Sequence, residues 1–269
     1  MLHTLQLLAA LSTSLLAQAP VSGVTLANTE QRTITSTAIG QQYDLLVSLP
    51  EGYATSGKAY PVLYVLDGWH FPLMAFLQDN SRFSERMPPV IIVNISHGDD
   101  ATRLRVRDFN PTRIEGQKGS GGGAAFLAFL EGDIIPLVER TYRTIPTDRA
   151  ILGHSLGGLF ALYAMVQRPA LFQRIVAASP ARLDNNREVL AAFDRLKASA
   201  AKIRLDISKG DEEPGTESLE AFVKVLEEAK VANVEMRYTI YPGQNHNSVR
   251  LASFPAGLYW VYRPSAGAR

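Results

Sequence analysis

Ala150-Ile151-Leu152-Gly153-His154-Ser155-Leu156-Gly157-Gly158-Leu159-Phe160-Ala161 joins a short apolar run directly to a helical pattern. The run reads as a strand, and a helix is predicted over Ser155–Gln167, where Arg168-Pro169 stops it. Between the two, Gly153-His154-Ser155-Leu156-Gly157 fits the pattern G-x-S-x-G. In a strand-to-helix bend this pattern lifts a serine hydroxyl onto a tight turn. The glycines two residues to either side leave room for neighbouring backbone. The helix start supplies outward N–H groups that favour a developing anion. A glycine-rich turn with a capping serine would share these letters, but the flanking strand and helix favour a nucleophile.

Outward from this bend, apolar runs alternate with helical patterns. Upstream lie Val62–Leu66, ended by Asp67-Gly68, and Val90–Ile95; downstream lie Ile175–Ala178, Ile203–Ile207 and Val234–Tyr241. Continuous apolar runs bounded by turn residues suggest strands covered on both faces, as in a parallel sheet. Thr33–Ala38 and Tyr43–Leu49 alternate polar and apolar residues, which predicts an antiparallel pair at the sheet's start. Helices are predicted over Ala124–Tyr142, where Pro136 should bend or split the element, and over Ser218–Lys230. The alternation argues an α/β layered fold with a mostly parallel central sheet and helices on both faces.

Composition narrows the chemistry. The chain has 269 residues, 27 Lys plus Arg against 26 Asp plus Glu, and no cysteine. A net charge of +1 gives no global basic field, so nucleic acid is not an expected partner. Without cysteine there is no thiolate nucleophile, disulfide framework or Cys-ligated zinc. No His/Asp/Glu grouping has metal-ligand spacing, and neither metal nor cofactor is expected. The glycine-rich Gly116–Gly123 lacks the Gly-Lys-Ser/Thr ending of a phosphate loop. Residues 1–19 carry no Asp, Glu, Lys or Arg, and Ala17-Gln18-Ala19 has the small-x-small form of a signal cleavage site. The apolar run is too short to span a bilayer, which takes roughly 20 residues. An exported protein without stable membrane insertion is expected, with residues 20–269 forming one catalytic domain.

A serine hydroxyl needs a base. Of five histidines, His3 lies in the leader-like segment, and His154 is locked in the bend and should point away from the serine. His70 and His97 follow early strands. His246 lies after the last strand, in Tyr241-Pro242-Gly243-Gln244-Asn245-His246-Asn247-Ser248, where functional loops of parallel sheets gather. His246 is therefore the expected base. The orienting acid should follow strand Ile203–Ile207. Asp211, Glu212 and Glu213 all do, and spacing does not choose among them. For an oxyanion hole, the N–H of Leu156 is one donor, and the N–H of Trp69, in Asp67-Gly68-Trp69-His70-Phe71, is the other. Arg107, His154 and Phe71 are the candidates for substrate contact. Arg105 and Arg107 would give a cationic edge for an acidic or catecholate group, unless Arg107 and Asp108 merely tie a loop to the body.

These segments together resemble the esterase branch of the α/β-hydrolase superfamily that includes esterase-D-like enzymes and ferric-siderophore esterases. The resemblance runs from about Pro61 to Val249. It rests on Val65-Leu66-Asp67-Gly68, Arg105-Val106-Arg107-Asp108-Phe109-Asn110-Pro111-Thr112, Gly121–Tyr142, the Gly153–Ala161 stretch and Gly243-Gln244-Asn245-His246-Asn247-Ser248-Val249. It implies an α/β-hydrolase fold, Ser155 as nucleophile, His246 as base and Glu213 as acid. It also implies hydrolysis of carboxylic esters of small molecules, including siderophore-type esters. An acyltransferase or peptidase on the same scaffold, and a catalytically silent binding protein, are the competing readings. Relatives often follow Ser-Pro with serine and aromatic residues; here Ser179-Pro180 runs into Ala181-Arg182-Leu183.

Overall fold

A computed structural model describes residues 25–84, 86–184, 189 and 193–264, so the leader-like segment lies outside the described residues. Eight strands form one sheet in the order β1-β2-β4-β3-β5-β6-β7-β8. β1 (Thr29–Ser36) and β2 (Gln41–Ser48) pair antiparallel, and β2 runs antiparallel to β4 (Ile91–Ser96). β3 (Tyr60–Leu66), β4, β5 (Thr144–His154), β6 (Arg174–Ala178), β7 (Ile203–Gly210) and β8 (Val234–Tyr241) are mutually parallel. This is the α/β-hydrolase arrangement.

The central runs lack alternation because both faces are covered. Along β3, Val62, Tyr64 and Leu66 enter one apolar core, while Leu63 and Val65 enter the other. Each such fully buried aliphatic side chain contributes on the order of 1.5–3 kcal/mol. The larger core packs α3 (Ala101–Phe109), α4 (Gly123–Phe129), α5 (Ile135–Thr141), α6 (Leu156–Gln167) and α8 (Glu217–Ala229) on one face. The smaller core packs α2 (Phe71–Ser84) and α9 (Val249–Tyr262) on the other. Two further short helices are α1 (Tyr53–Ser56) and α7 (Phe193–Ala198). Every residue of α6 from Leu156 to Val166 is buried, so its sequence is apolar all round rather than striped. Among the described residues no helix is long and apolar enough to cross a membrane.

The helix expected at Ala124–Tyr142 is interrupted just before its proline. A π turn, Leu130–Ile134, joins α4 to α5, and Pro136 falls in the first turn of α5. There the wider π turn ahead of it takes up the ring and the helical bond that its missing N–H cannot make.

The chain steps from β4 over β3 to β5, so the winding direction reverses between β3 and β5. Clefts form at the carboxyl ends of strands at such a reversal. The loops after β3, β5, β7 and β8 meet there.

Candidate active site

Ser155 sits between β5 and α6 with φ 59° and ψ −120°, a conformation rare for a residue with a side chain. The bend is held from three sides. The Ser155 N–H donates to the Ala178 carbonyl at 3.0 Å, and the Ser155 carbonyl accepts from Leu159 at 3.0 Å and Ala181 at 3.2 Å. A Cβ at Gly153 would lie 2.2 Å from the Gly157 carbonyl oxygen, so only glycine fits. A Cβ at Gly158 would crowd the Ala178 oxygen at 3.1 Å and Pro180 Cα at 3.2 Å.

The bend aims Ser155 at the loop after β8. Ser155 Oγ and His246 Nε2 are 2.9 Å apart, and His246 Nδ1 lies 2.8 Å from Glu213 Oε2. With Nδ1–H donating to the carboxylate, Nε2 is free to accept the serine proton; this tautomer follows from the bonding pattern. Glu213 Oε1 accepts from the Ser179 hydroxyl at 2.6 Å and the Gly210 N–H at 2.5 Å. Burial opposes charge on Glu213, but the bonds from His246, Ser179 and Gly210 outweigh it and hold the carboxyl below its ordinary range. The other two acids point elsewhere in role. Asp211 Oδ1 accepts from the Gln244 N–H at 3.4 Å, and Glu212 lends its main-chain N–H to the Gln244 carbonyl at 3.1 Å. Both brace the histidine loop, and neither carboxylate contacts the imidazole. A Cβ at Gly210 would fall 1.9 Å from the Gln244 oxygen, so this close approach demands glycine.

The oxyanion-donor candidates lie on adjoining segments. Leu156 opens α6, so its N–H has no helical carbonyl to bond. Trp69 lies in the turn Gly68–His70, whose internal bonds, His70 N–H to Asp67 and Phe71 N–H to Gly68, leave the Trp69 N–H unused. A Cβ at Gly157 would touch Leu66 Cβ at 3.4 Å and Asp67 Oδ2 at 3.5 Å, which puts the β3 loop against the serine bend. That loop is strained and clamped. Asp67 has φ 69°, and Arg105 grips its buried carboxylate at 2.8 and 2.9 Å. The same guanidinium lies over the rings of Trp69 and Phe109 at 5.2 and 5.7 Å. Gly68 is pressed on Ser96, where an added Cβ would sit 2.4 Å from Ser96 Cβ.

The remaining candidates are placed as follows. Arg107 bonds Asp108 at 2.7 Å and the Tyr43 hydroxyl at 3.0 Å, and Asp108 also meets Tyr43 and His97. Arg107 therefore ties α3 to β2, the loop-holding role, instead of standing open to substrate. Arg105 is likewise engaged by Asp67. His154 is buried, and its Nε2 faces the His246 carbonyl at 2.6 Å, so it contacts the main chain of His246 and not the cleft. Phe71 is half-buried at the start of α2, and the Trp69 side chain is exposed. Ser179 was not a sequence candidate. Its signal was slight: a Ser-Pro pair directly after a strand neighbouring the serine bend. An apolar groove of about 1190 Å³, lined by Leu26, Leu49, Phe76, Met87 and others, contains none of these residues. It adjoins Ser48, at the opposite end of the parallel strands.

Comparison with known proteins gives consistent findings. The family model described as "Putative esterase" matches residues 36–260. The ferri-bacillibactin esterase BesA of Bacillus subtilis (strain 168) is 30% identical over 196 residues, covering 66% of this chain and 67% of that protein. An IroE-like serine hydrolase from Shewanella oneidensis superposes with a TM-score of 0.75 at 27% identity, over 87% of this chain and 80% of that one. The BES protein from Bacillus cereus superposes with a TM-score of 0.81 at 24% identity, over 91% of this chain and all of that one, and shows the fold.

Proposed function

Because the chain belongs to this esterase family, whose model spans residues 36–260, we propose that it is a serine hydrolase cleaving carboxylic esters through an acyl-enzyme. The observation that carries the reading is the chain of bonds Ser155–His246–Glu213 at 2.9 and 2.8 Å. His246 Nε2 takes the serine proton as Oγ attacks the ester carbonyl carbon. Glu213 holds the imidazole in register and stabilises the imidazolium. The tetrahedral oxyanion is met by the N–H groups of Leu156 and Trp69, a kind of contact whose loss slows turnover ~10²–10³-fold. Collapse breaks the bond to the alcohol oxygen, which receives the proton from His246. Water, deprotonated by the same imidazole, then attacks the acyl-enzyme, releasing the acid and restoring Ser155.

The substrate proposed is a small-molecule ester, of siderophore type or with a small acyl group. The name of the Bacillus subtilis relative as a ferri-bacillibactin esterase supports the first. The charge-free, small-x-small-ended residues 1–19 support action outside the cytoplasm. Hydrolysis of p-nitrophenyl acetate, butyrate and octanoate, and of a cyclic catecholate triester, tests the reading. Activity should vanish in Ser155→Ala and His246→Ala. Hydrolysis persisting in either folded variant would defeat it.

A further inference from the structure

His154 occupies the variable position of G-x-S-x-G, where the pattern asks for no residue type. It is nevertheless buried, and its ring lies 4.6 Å from that of His246. Its Nε2 is 2.6 Å from the His246 main-chain oxygen. Because a carbonyl only accepts, the proton of the neutral ring must sit on Nε2. Burial, and then the nearby His246 charge, push the His154 ring down to about 3, so it stays neutral while His246 cycles its proton.

The His246 loop is pinned carbonyl by carbonyl. Gln244 O accepts from Glu212 N–H at 3.1 Å, and Asn245 O from Val249 N–H at 3.1 Å. The Asn245 side chain caps Asn247 and Ser248 at 2.9 and 3.0 Å. The His246 carbonyl is the one of these three held by a side chain, and that side chain is fixed to the nucleophile's own backbone. Ser155 and His246 are thus coupled twice, once through the reacting hydroxyl and once through His154.

We propose that His154 is a positioning residue: its Nε2–H grips the His246 carbonyl and sets the base at its distance from Ser155. The inference rests on the serine-hydrolase reading above. A 1 Å misplacement of a reacting group slows turnover by about 10²-fold.

The test compares two amides on the full chain. In His154→Gln the side-chain nitrogen reaches the place of Nε2; in His154→Asn it reaches only the place of Nδ1. Both bury an amide of similar polarity. His154→Gln should keep kcat within about tenfold of wild type, as expected when one hydrogen bond is kept at altered geometry. His154→Asn should lose about 10²-fold in kcat, with KM changed less than about twofold. Equal activities for the two amides, or a loss in His154→Asn that falls on KM with kcat unchanged, would overturn the proposal. Should neither amide variant fold, the ¹⁵N spectrum of the wild-type imidazoles decides: a protonated Nε2 on neutral His154 supports the proposal, and the Nδ1–H tautomer overturns it. Activity surviving in Ser155→Ala would instead remove the underlying reading, so the two failures are told apart.

Discussion

Replacing Glu213 by glutamine should inactivate the site more thoroughly than loss of charge alone explains. Two donors, the Ser179 hydroxyl at 2.6 Å and the Gly210 N–H at 2.5 Å, converge on Oε1. A glutamine there must turn its carbonyl oxygen toward them, because an amide NH₂ facing two donors would leave all three unpaired. The NH₂ is then directed at His246 Nδ1, now 2.8 Å from Oε2. A donor at that place forces Nδ1 to accept, which moves the ring proton to Nε2. An Nε2–H donates to Ser155 and cannot take its proton. A wrong-tautomer triad in serine proteases loses ~10⁴-fold in kcat, and a loss of ~10³–10⁴-fold is expected for Glu213→Gln. Glu213→Ala removes the acid without imposing the tautomer and should be no worse. Asp211→Asn and Glu212→Gln should stay within about threefold, because neither carboxylate meets the imidazole. Steady-state hydrolysis of p-nitrophenyl butyrate, with thermal melts to verify folding, reads all four. A Glu213→Gln enzyme keeping a tenth of wild-type kcat would refute the reasoning.

Other perturbations reach the same loops from outside. Arg105→Lys keeps the charge but loses the two-pronged grip on Asp67 and the flat contact with Trp69, so kcat should fall about 10–10²-fold with KM nearly unchanged; wild-type kcat would detach the Asp67 clamp from the chemistry. Gly210→Ala forces a Cβ onto the Gln244 carbonyl oxygen and should destabilise by about 1–3 kcal/mol, lowering Tm by several degrees together with activity; an unshifted melt would contradict the tight crossing. Burial, then the Arg250 and Arg105 charges, depress His70 to about 3, against roughly 6.5 in an unfolded chain. Below pH 6.5 the unfolded chain therefore binds a proton that the folded one refuses, and stability falls as pH drops from about 6.5 toward 3. His70→Phe should flatten urea-derived stability over that window by up to about 1.4 kcal/mol per pH unit, and an unchanged slope would contradict it. Asp206, pushed up to about 6 chiefly by burial against the opposing pull of Arg237, acts with the other sign: the folded chain holds the extra proton between about 4 and 6, so Asp206→Asn should make acid unfolding steeper there.

The central strands were legible because burial on two faces leaves uninterrupted apolar runs; β8, an edge strand with no buried residue, was nonetheless read to its ends at Val234 and Tyr241. β5 runs longer than its apolar core suggests, since Thr144–Arg149 is polar yet still pairs along β3 at Tyr60 and Val62. α9 escaped notice because it carries Pro255 and is apolar on more than one face, which hides its period. In the candidate site, Ser155 could be proposed from a local bend and His246 from elimination and position, and the two side chains meet at 2.9 Å. The residues alone could not choose among Asp211, Glu212 and Glu213, which differ only in how the turn after β7 curls back, and it was the family resemblance that pointed to Glu213. What distinguishes Glu213 is a long-range meeting with Ser179 and His246, 34 and 33 residues away. Arg107's tie to Asp108 was one of the two readings the sequence offered, while the tasks of Arg105 and His154 were hidden for the same reason. Each partner lies on another element, and a charged or imidazole side chain looks the same in sequence whether it meets substrate or backbone.

The central claim is that Ser155 forms the covalent intermediate. Intact-mass and peptide-level mass spectrometry after brief reaction with a fluorophosphonate ester tests it most directly. The expected result is one adduct per chain, on the peptide bearing Ser155, absent in Ser155→Ala and strongly slowed in His246→Ala. An unlabelled folded protein that still hydrolyses esters, or an adduct on another residue, would contradict it.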